Sequence, residues 1–72
     1  ARLFAELRAV RLRLAREEGV AAFIILPDRS LIEMATRRPS TAGELRQVQG
    51  VGDRKLARYG DAFLQAIRSS TP

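Results

Sequence analysis

Leu45-Arg46-Gln47-Val48-Gln49-Gly50-Val51-Gly52-Asp53-Arg54-Lys55-Leu56 reads as helix, tight break, helix. Two glycines one residue apart let the backbone turn sharply and keep Cβ atoms out of the bend. Val51 between them is apolar and can anchor the turn in a core. Downstream, Leu56, Tyr59, Phe63 and Ile67 recur at three- and four-residue steps, so they share the buried face of a helix predicted from about Asp53 to Ser69. Asp53 is its expected N-cap. Gly60 lies inside this helix, where Gly costs about 1 kcal/mol relative to Ala. Such a residue is usually kept for close approach of another helix.

The same stretch carries the main chemical signal. Free N–H groups of the turn and of the following helix N-terminus point outward and favour an anion. Arg54, Lys55 and Arg58 cluster on the first turn and a half of that helix. This is helix-hairpin-helix logic, a way of holding phosphate without reading base sequence. Gly50, Gly52, Arg54, Lys55 and Arg58 are therefore candidate nucleic-acid contacts. A plain tight turn with a solvated basic face is the competing reading, and Asp53 puts a negative charge beside any bound phosphate.

Working back toward the N-terminus, Thr41-Ala42-Gly43-Glu44 has the spacing of a capping box and predicts a helix from about Ala42 to Val48. Ser30-Leu31-Ile32-Glu33 has the same spacing and predicts a helix from Leu31 to Arg37 that stops before Pro39. Glu33 and Glu44 read as caps rather than catalytic acids. Val20-Ala21-Ala22-Phe23-Ile24-Ile25-Leu26 has no second strand-like segment to pair with, so a short buried helical turn ending at Pro27 is expected. Phe23 in this run is either core or, if exposed, a platform for an unpaired base. Residues 2–18 form one amphipathic helix with Leu3, Leu7, Val10 and Leu14 on one face and Phe4, Arg11 and Ala15 on its flank. Arg2, Arg13 and Arg16 point to solvent, Leu12 falls outside the stripe, and Gly19 is the expected stop. Arg8 and Arg11 either pair with Glu18 or its neighbours or face nucleic acid; Arg11, on the flank, suits the structural role. The fold class is all-α, with residues 1–69 as one domain and 70–72 as a tail.

Composition narrows function. The 72 residues contain no Cys and no His, which removes thiolate nucleophiles, zinc–thiolate sites and the commonest general base. No phosphate-binding loop, metal-ligand cluster or catalytic dyad is present. The longest apolar run, Val20 to Leu26, is far short of the roughly 20 residues that span a bilayer. A soluble intracellular module from a longer protein is the expectation. Twelve Arg and one Lys stand against eight acids, a formal net charge of +5. Residues 1–36 hold six Arg and five acids; residues 37–72 hold six Arg, one Lys and three acids. The excess therefore lies in the second half, with the hairpin. Arg suits phosphate oxygens and stacks on bases, although a GC-rich genome also inflates Arg and Ala.

Read together, Leu7-Arg8, Arg11, Phe23-Ile24-Ile25, Ser30-Leu31-Ile32-Glu33-Met34-Ala35, Pro39, Thr41, Glu44-Leu45, Gly50-Val51-Gly52, Arg54-Lys55-Leu56, Arg58-Tyr59-Gly60 and Phe63-Leu64 resemble an HRDC domain, the helicase-and-RNase-D C-terminal module. The resemblance covers nearly the whole chain and is strongest to the bacterial RecQ helicase branch. It implies a compact bundle of about five helices with no catalytic role or cofactor of its own. The parent would be a DNA helicase using ATP and Mg, in the bacterial cytoplasm with the nucleoid. It implies weak binding of single-stranded or branched DNA, with RNA left open, and contacts to the parent helicase core or other HRDC copies. No membrane is implied. Phe23 stands where RecQ relatives often carry Tyr in a DNA-binding face with nearby basic residues. Here Phe lacks the hydroxyl, and Ala21-Ala22 replaces the proline common before the aromatic.

An enzyme is the least supported of three functional classes, because the acids read as caps or solvated face residues; two others carry the weight. In one, an accessory module contacts DNA through Gly50, Gly52, Arg54, Lys55 and Arg58, with Phe23 stacking and Arg8 nearby. About four neutralised phosphates on a single strand would give a slope of log K against log salt near −3. In the other, the domain docks on its own helicase core or a partner, with Leu12 as a contact.

Overall fold

The computed structural model describes residues 2–70, which fold into five helices: α1 (Arg2–Glu18), α2 (Ala22–Ile25), α3 (Asp28–Arg37), α4 (Ala42–Arg46) and α5 (Asp53–Ser69). The expected tail residues 71 and 72 lie outside the described residues. The two long helices, each about 25 Å at 1.5 Å per residue, pack on each other, and the three short ones close around them. Leu3, Leu7 and Leu14 of α1 meet Ile25, Leu26, Leu31, Met34, Leu45, Val48, Val51 and the Tyr59–Phe63–Leu64–Ile67 face of α5 in one core.

α1 ends as its sequence dictates. Gly19 takes φ +68, and the N–H groups of Gly19 and Val20 donate to the carbonyls of Arg16 and Ala15 at 3.3 and 3.0 Å. That is a Schellman closure. Arg11 lies inside the apolar stripe and is only 7% exposed. One guanidinium nitrogen donates to the Leu26 carbonyl at 2.9 Å and another meets Asp28 at 2.8 Å. Its role is structural: it holds the extended Leu26–Pro27 link between α2 and α3.

Four sequence expectations change. First, α3 starts three residues early, on Pro27, whose carbonyl accepts from Ser30 N–H at 3.1 Å. Ser30 is therefore not an N-cap; it is fully buried, and its hydroxyl donates to the Gln49 carbonyl at 2.6 Å. Glu33 accepts the Gln49 N–H at 3.0 Å, so the two side chains hold both backbone groups of one turn residue. Second, Thr41 does cap α4, accepting Glu44 N–H at 3.1 Å, but Glu44 reaches back to Ser40 N–H at 2.8 Å rather than to Thr41. α4 is also shorter than expected. After Arg46 the chain turns through i→i+3 bonds that bring Val48 and Val51 into the core. Third, Gly52 is the N-cap of α5, and Asp53 lies in its first turn, ion-paired with Arg46. Fourth, the crowding at Gly60 comes from its own helix. An added Cβ would sit 2.9 Å from Leu56 Cδ1, whereas Leu45 of α4 stays at an ordinary 3.8 Å.

Candidate nucleic-acid interface

α2 is only half buried, contrary to the expectation for its apolar run. Ile25 and Leu26 enter the core, while Phe23 is 68% and Ile24 50% exposed. Four residues cannot form a stable helix alone, so α2 depends on what holds it. Arg11 grips the chain just after it, and Lys55 of α5 donates to the carbonyls of Ile24 and Ile25, both at 2.7 Å. Those carbonyls have no helical partner, and they form the negative end of the helix. An ammonium group satisfies both requirements at once.

Held this way, α2 separates two grooves. One is lined by Val20 and Ile24 together with Glu18, Arg54, Lys55, Arg58 and Tyr59. The other is lined by Ala5, Arg8, Ala9, Arg11, Leu12 and Ala22. Phe23 stands in the chain between Ala22, which lines one groove, and Ile24, which lines the other. The structure thus brings Ile24 beside Arg54, Lys55 and Arg58, and Ala22 beside Arg8, with Phe23 exposed on the helix between Ala22 and Ile24. Arg8 is exposed, with its guanidinium 5.9 Å from the Phe4 ring centre.

The hairpin glycines part company. Gly52 is exposed with open space around its Cα, at the start of α5. Gly50 takes φ +89 and faces Ser30 and Leu26, so it serves the turn's packing on α3.

Nor are the three basic residues equivalent. Lys55 is committed to α2. Arg58 donates to both carboxylate oxygens of Glu18, at 3.0 and 2.9 Å, and lies 5.6 Å from the Tyr59 ring centre. Tyr59 hydroxyl donates to the same carboxylate at 2.9 Å, and this bond, with burial, raises the phenol above its usual range. Arg54 has no carboxylate partner among the described residues. Among the described residues six arginines sit in ion pairs, and Arg8, Arg16, Arg29, Arg38, Arg54, Lys55 and Arg68 remain outside them. Arg38 and Arg68 cap only the carbonyls of Ser70 and Ser40. Within the interface, the unpaired guanidiniums are Arg8 and Arg54. No group of three His, Cys, Asp or Glu among the described residues could hold a metal. No described helix is long and apolar enough to cross a membrane.

Sequence reasoning missed Val20, Ile24, Glu18 and Tyr59 as groove residues. One signal was readable: Glu18 closes α1, where a negative charge meets the negative end of the helix dipole. A carboxylate there calls for a distant cation.

Comparison with known proteins bears on this geometry. The model of the HRDC domain family matches residues 1–67. The chain is 43% identical over 67 residues to the ATP-dependent DNA helicase RecQ of Bacillus subtilis, covering 93% of this chain and 11% of the helicase. It is 36% identical over 69 residues to the ATP-dependent DNA helicase UvrD2 of Mycobacterium bovis, covering 96% of this chain and 10% of that protein. It therefore spans about a tenth of the length of these relatives. Its fold is similar to the D. radiodurans RecQ HRDC domain 3, with a TM-score of 0.90 and 36% identity over 93% of this chain and 88% of that one.

Proposed function

The chain belongs to the HRDC domain family, an accessory domain of DNA helicases, and from that premise we propose that it binds single-stranded or partly duplex DNA weakly and tunes which structures a parent RecQ-type helicase engages. The domain, residues 1–69, does this without a cofactor; ATP and Mg serve the parent motor. Its setting is the nucleoid in a bacterial cytoplasm. The observation that carries the reading is the exposed Phe23–Ile24 edge of α2, whose Ile24 lines one groove with Arg54, Lys55 and Arg58 of α5. A base stacks on Phe23, the flanking phosphates meet Arg54 and Arg8, and the open amides at Gly52 add a neutral contact. Because Lys55 holds α2 and Gly50 packs on α3, those two residues shape the face rather than touch the strand.

This reading changes the expected salt dependence. The two guanidiniums outside ion pairs neutralise about two phosphates, so the slope of log K against log salt is about −1.4, and about −2 where Arg58 also meets one, rather than −3. Fluorescence anisotropy of a labelled single strand at several salt concentrations measures it. Phe23→Ala weakens binding about five- to hundredfold, the worth of one stacked base. Arg54→Glu weakens it about tenfold. An RNA strand of the same sequence tests the sugar preference. Binding that ignores salt and both variants sinks the proposal. A docking role has one observation of its own: Leu12, 44% exposed, borders the Ala5–Ala9–Ala22 groove. Retained DNA binding with lost regulation in Leu12→Ser, placed in the full helicase, would identify that groove as the contact to the helicase core or another HRDC copy.

A further inference from the structure

The groove between α2 and α5 holds a built-in anion. Glu18 receives three donations, two from Arg58 and one from the Tyr59 hydroxyl, all between 2.9 and 3.0 Å. A guanidinium and a hydroxyl converging on paired oxygens is also how a phosphate is held. Glu18 gains nothing from its own helix, since it sits at the negative end of α1 directly after Glu17. Its partners lie 40 and 41 residues away. The Glu18 side chain is 30% exposed and that of Arg58 51%, so the carboxylate can swing to water without opening the core.

We propose that Glu18 is an internal stand-in for phosphate: a backbone phosphate of the bound strand displaces its carboxylate and takes over Arg58 and the Tyr59 hydroxyl. This rests on the α2–α5 face being the strand-binding face. It makes Glu18 a negative determinant of affinity. A free phosphate competes poorly with a tethered carboxylate, whereas a strand whose neighbouring phosphate is held by Arg54 presents its next phosphate at high effective concentration. The carboxylate thus selects polymer over monomeric anions.

Glu18→Gln keeps the shape and one acceptor but removes the charge. It binds a labelled single strand about two- to fivefold tighter than the unaltered chain, the factor that an exposed ion pair of this class is worth. Adding Arg58→Gln to that variant abolishes the gain. A second readout needs no variant. Tyr59 is the single tyrosine and there is no tryptophan, so intrinsic fluorescence reports on this hydroxyl alone. Saturation of the unaltered chain with an abasic deoxyribose-phosphate oligomer, which carries no bases to stack or absorb, changes that emission; inorganic phosphate at equal phosphate concentration does not. Equal or weaker binding by Glu18→Gln, or silent Tyr59 emission at saturation, overturns the inference while Phe23- and Arg54-dependent binding leaves the proposed function standing. Absence of binding by both the parent and Glu18→Gln at low salt overturns both.

Discussion

Gly50 is constrained twice over. Its φ of +89 lies in the region that side chains disfavour, and an added Cβ would sit 2.6 Å from Ser30 Oγ. That hydroxyl cannot step aside without abandoning the Gln49 carbonyl. Gly50→Ala therefore destabilises the fold by about 2 kcal/mol or more, measured by urea denaturation. Ser30→Ala alone costs about 1 kcal/mol by removing the partner of the part-buried Gln49 carbonyl. The double variant costs less than the sum, because the clash disappears with the hydroxyl and only the φ penalty and the lost bond remain. Strict additivity would show that the two residues do not meet. Gly52, extended and uncrowded, is the contrast: Gly52→Ser changes stability by only a few tenths of a kcal/mol, and toward stabilisation, because serine can cap α5. The two glycines look alike in sequence, and only their surroundings separate them. Ser30 and Glu33 show the same limit. Their spacing is that of a capping box, and it equally places two polar groups on one helix face, aimed at Gln49.

At the scale of elements, the long amphipathic helices were readable because seventeen residues repeat a pattern. α1 and α5 end at Glu18 and Ser69 as the periodicity and Gly19 predict. α2 was not, since four apolar residues carry no periodicity and its faces are assigned by neighbours. Its sides are set by Arg11 from α1 and Lys55 from α5, partners 15 and 30 residues distant. The basic cluster on α5 was legible as a cluster, but its division of labour was not. Lys55 serves the fold, and Arg54, one residue nearer the turn, is the one outside any carboxylate pair among the described residues. Lys55→Met tests this division. It keeps the stem against α5 and removes the ammonium from the α2 carbonyls. Amide exchange should accelerate across Ala22–Ile25, with α1 and the core of α5 still protected. DNA affinity falls as well, because Phe23 loses its fixed position. Unchanged exchange in α2 would mean that Arg11 and core packing suffice to hold it.

For the whole molecule, the absence of His makes pH dependence unusually simple to assign. Between about pH 6 and 9 no side chain here has an ordinary titration range, so stability should be flat. On the acid side, the Gln49 N–H and then Arg37 hold the Glu33 carboxyl below its usual 4.5, and the Ser40 N–H and hydroxyl do the same for Glu44. A carboxyl depressed in the folded state binds its proton more readily in the unfolded chain. Its contribution is therefore complete above 4.5 and is lost as pH falls through the folded value. On the alkaline side the sign reverses. Tyr59, raised above 10.0 by its bond to Glu18 and by burial, contributes fully below 10.0 and loses that contribution as pH rises through its folded value. Urea midpoints across the pH range should give a plateau with two falling limbs. Glu33→Gln keeps an acceptor for Gln49 and shallows the acid limb alone; Glu18→Gln removes the acceptor charge from Tyr59 and shallows the alkaline limb alone. If either variant moved the opposite limb, these groups would not be the ones that set it. The alkaline limb also ties stability to binding. On the inference above, a phosphate in Glu18's place accepts from the same phenol, so abasic strand added to Glu18→Gln should steepen again the limb that the substitution made shallow.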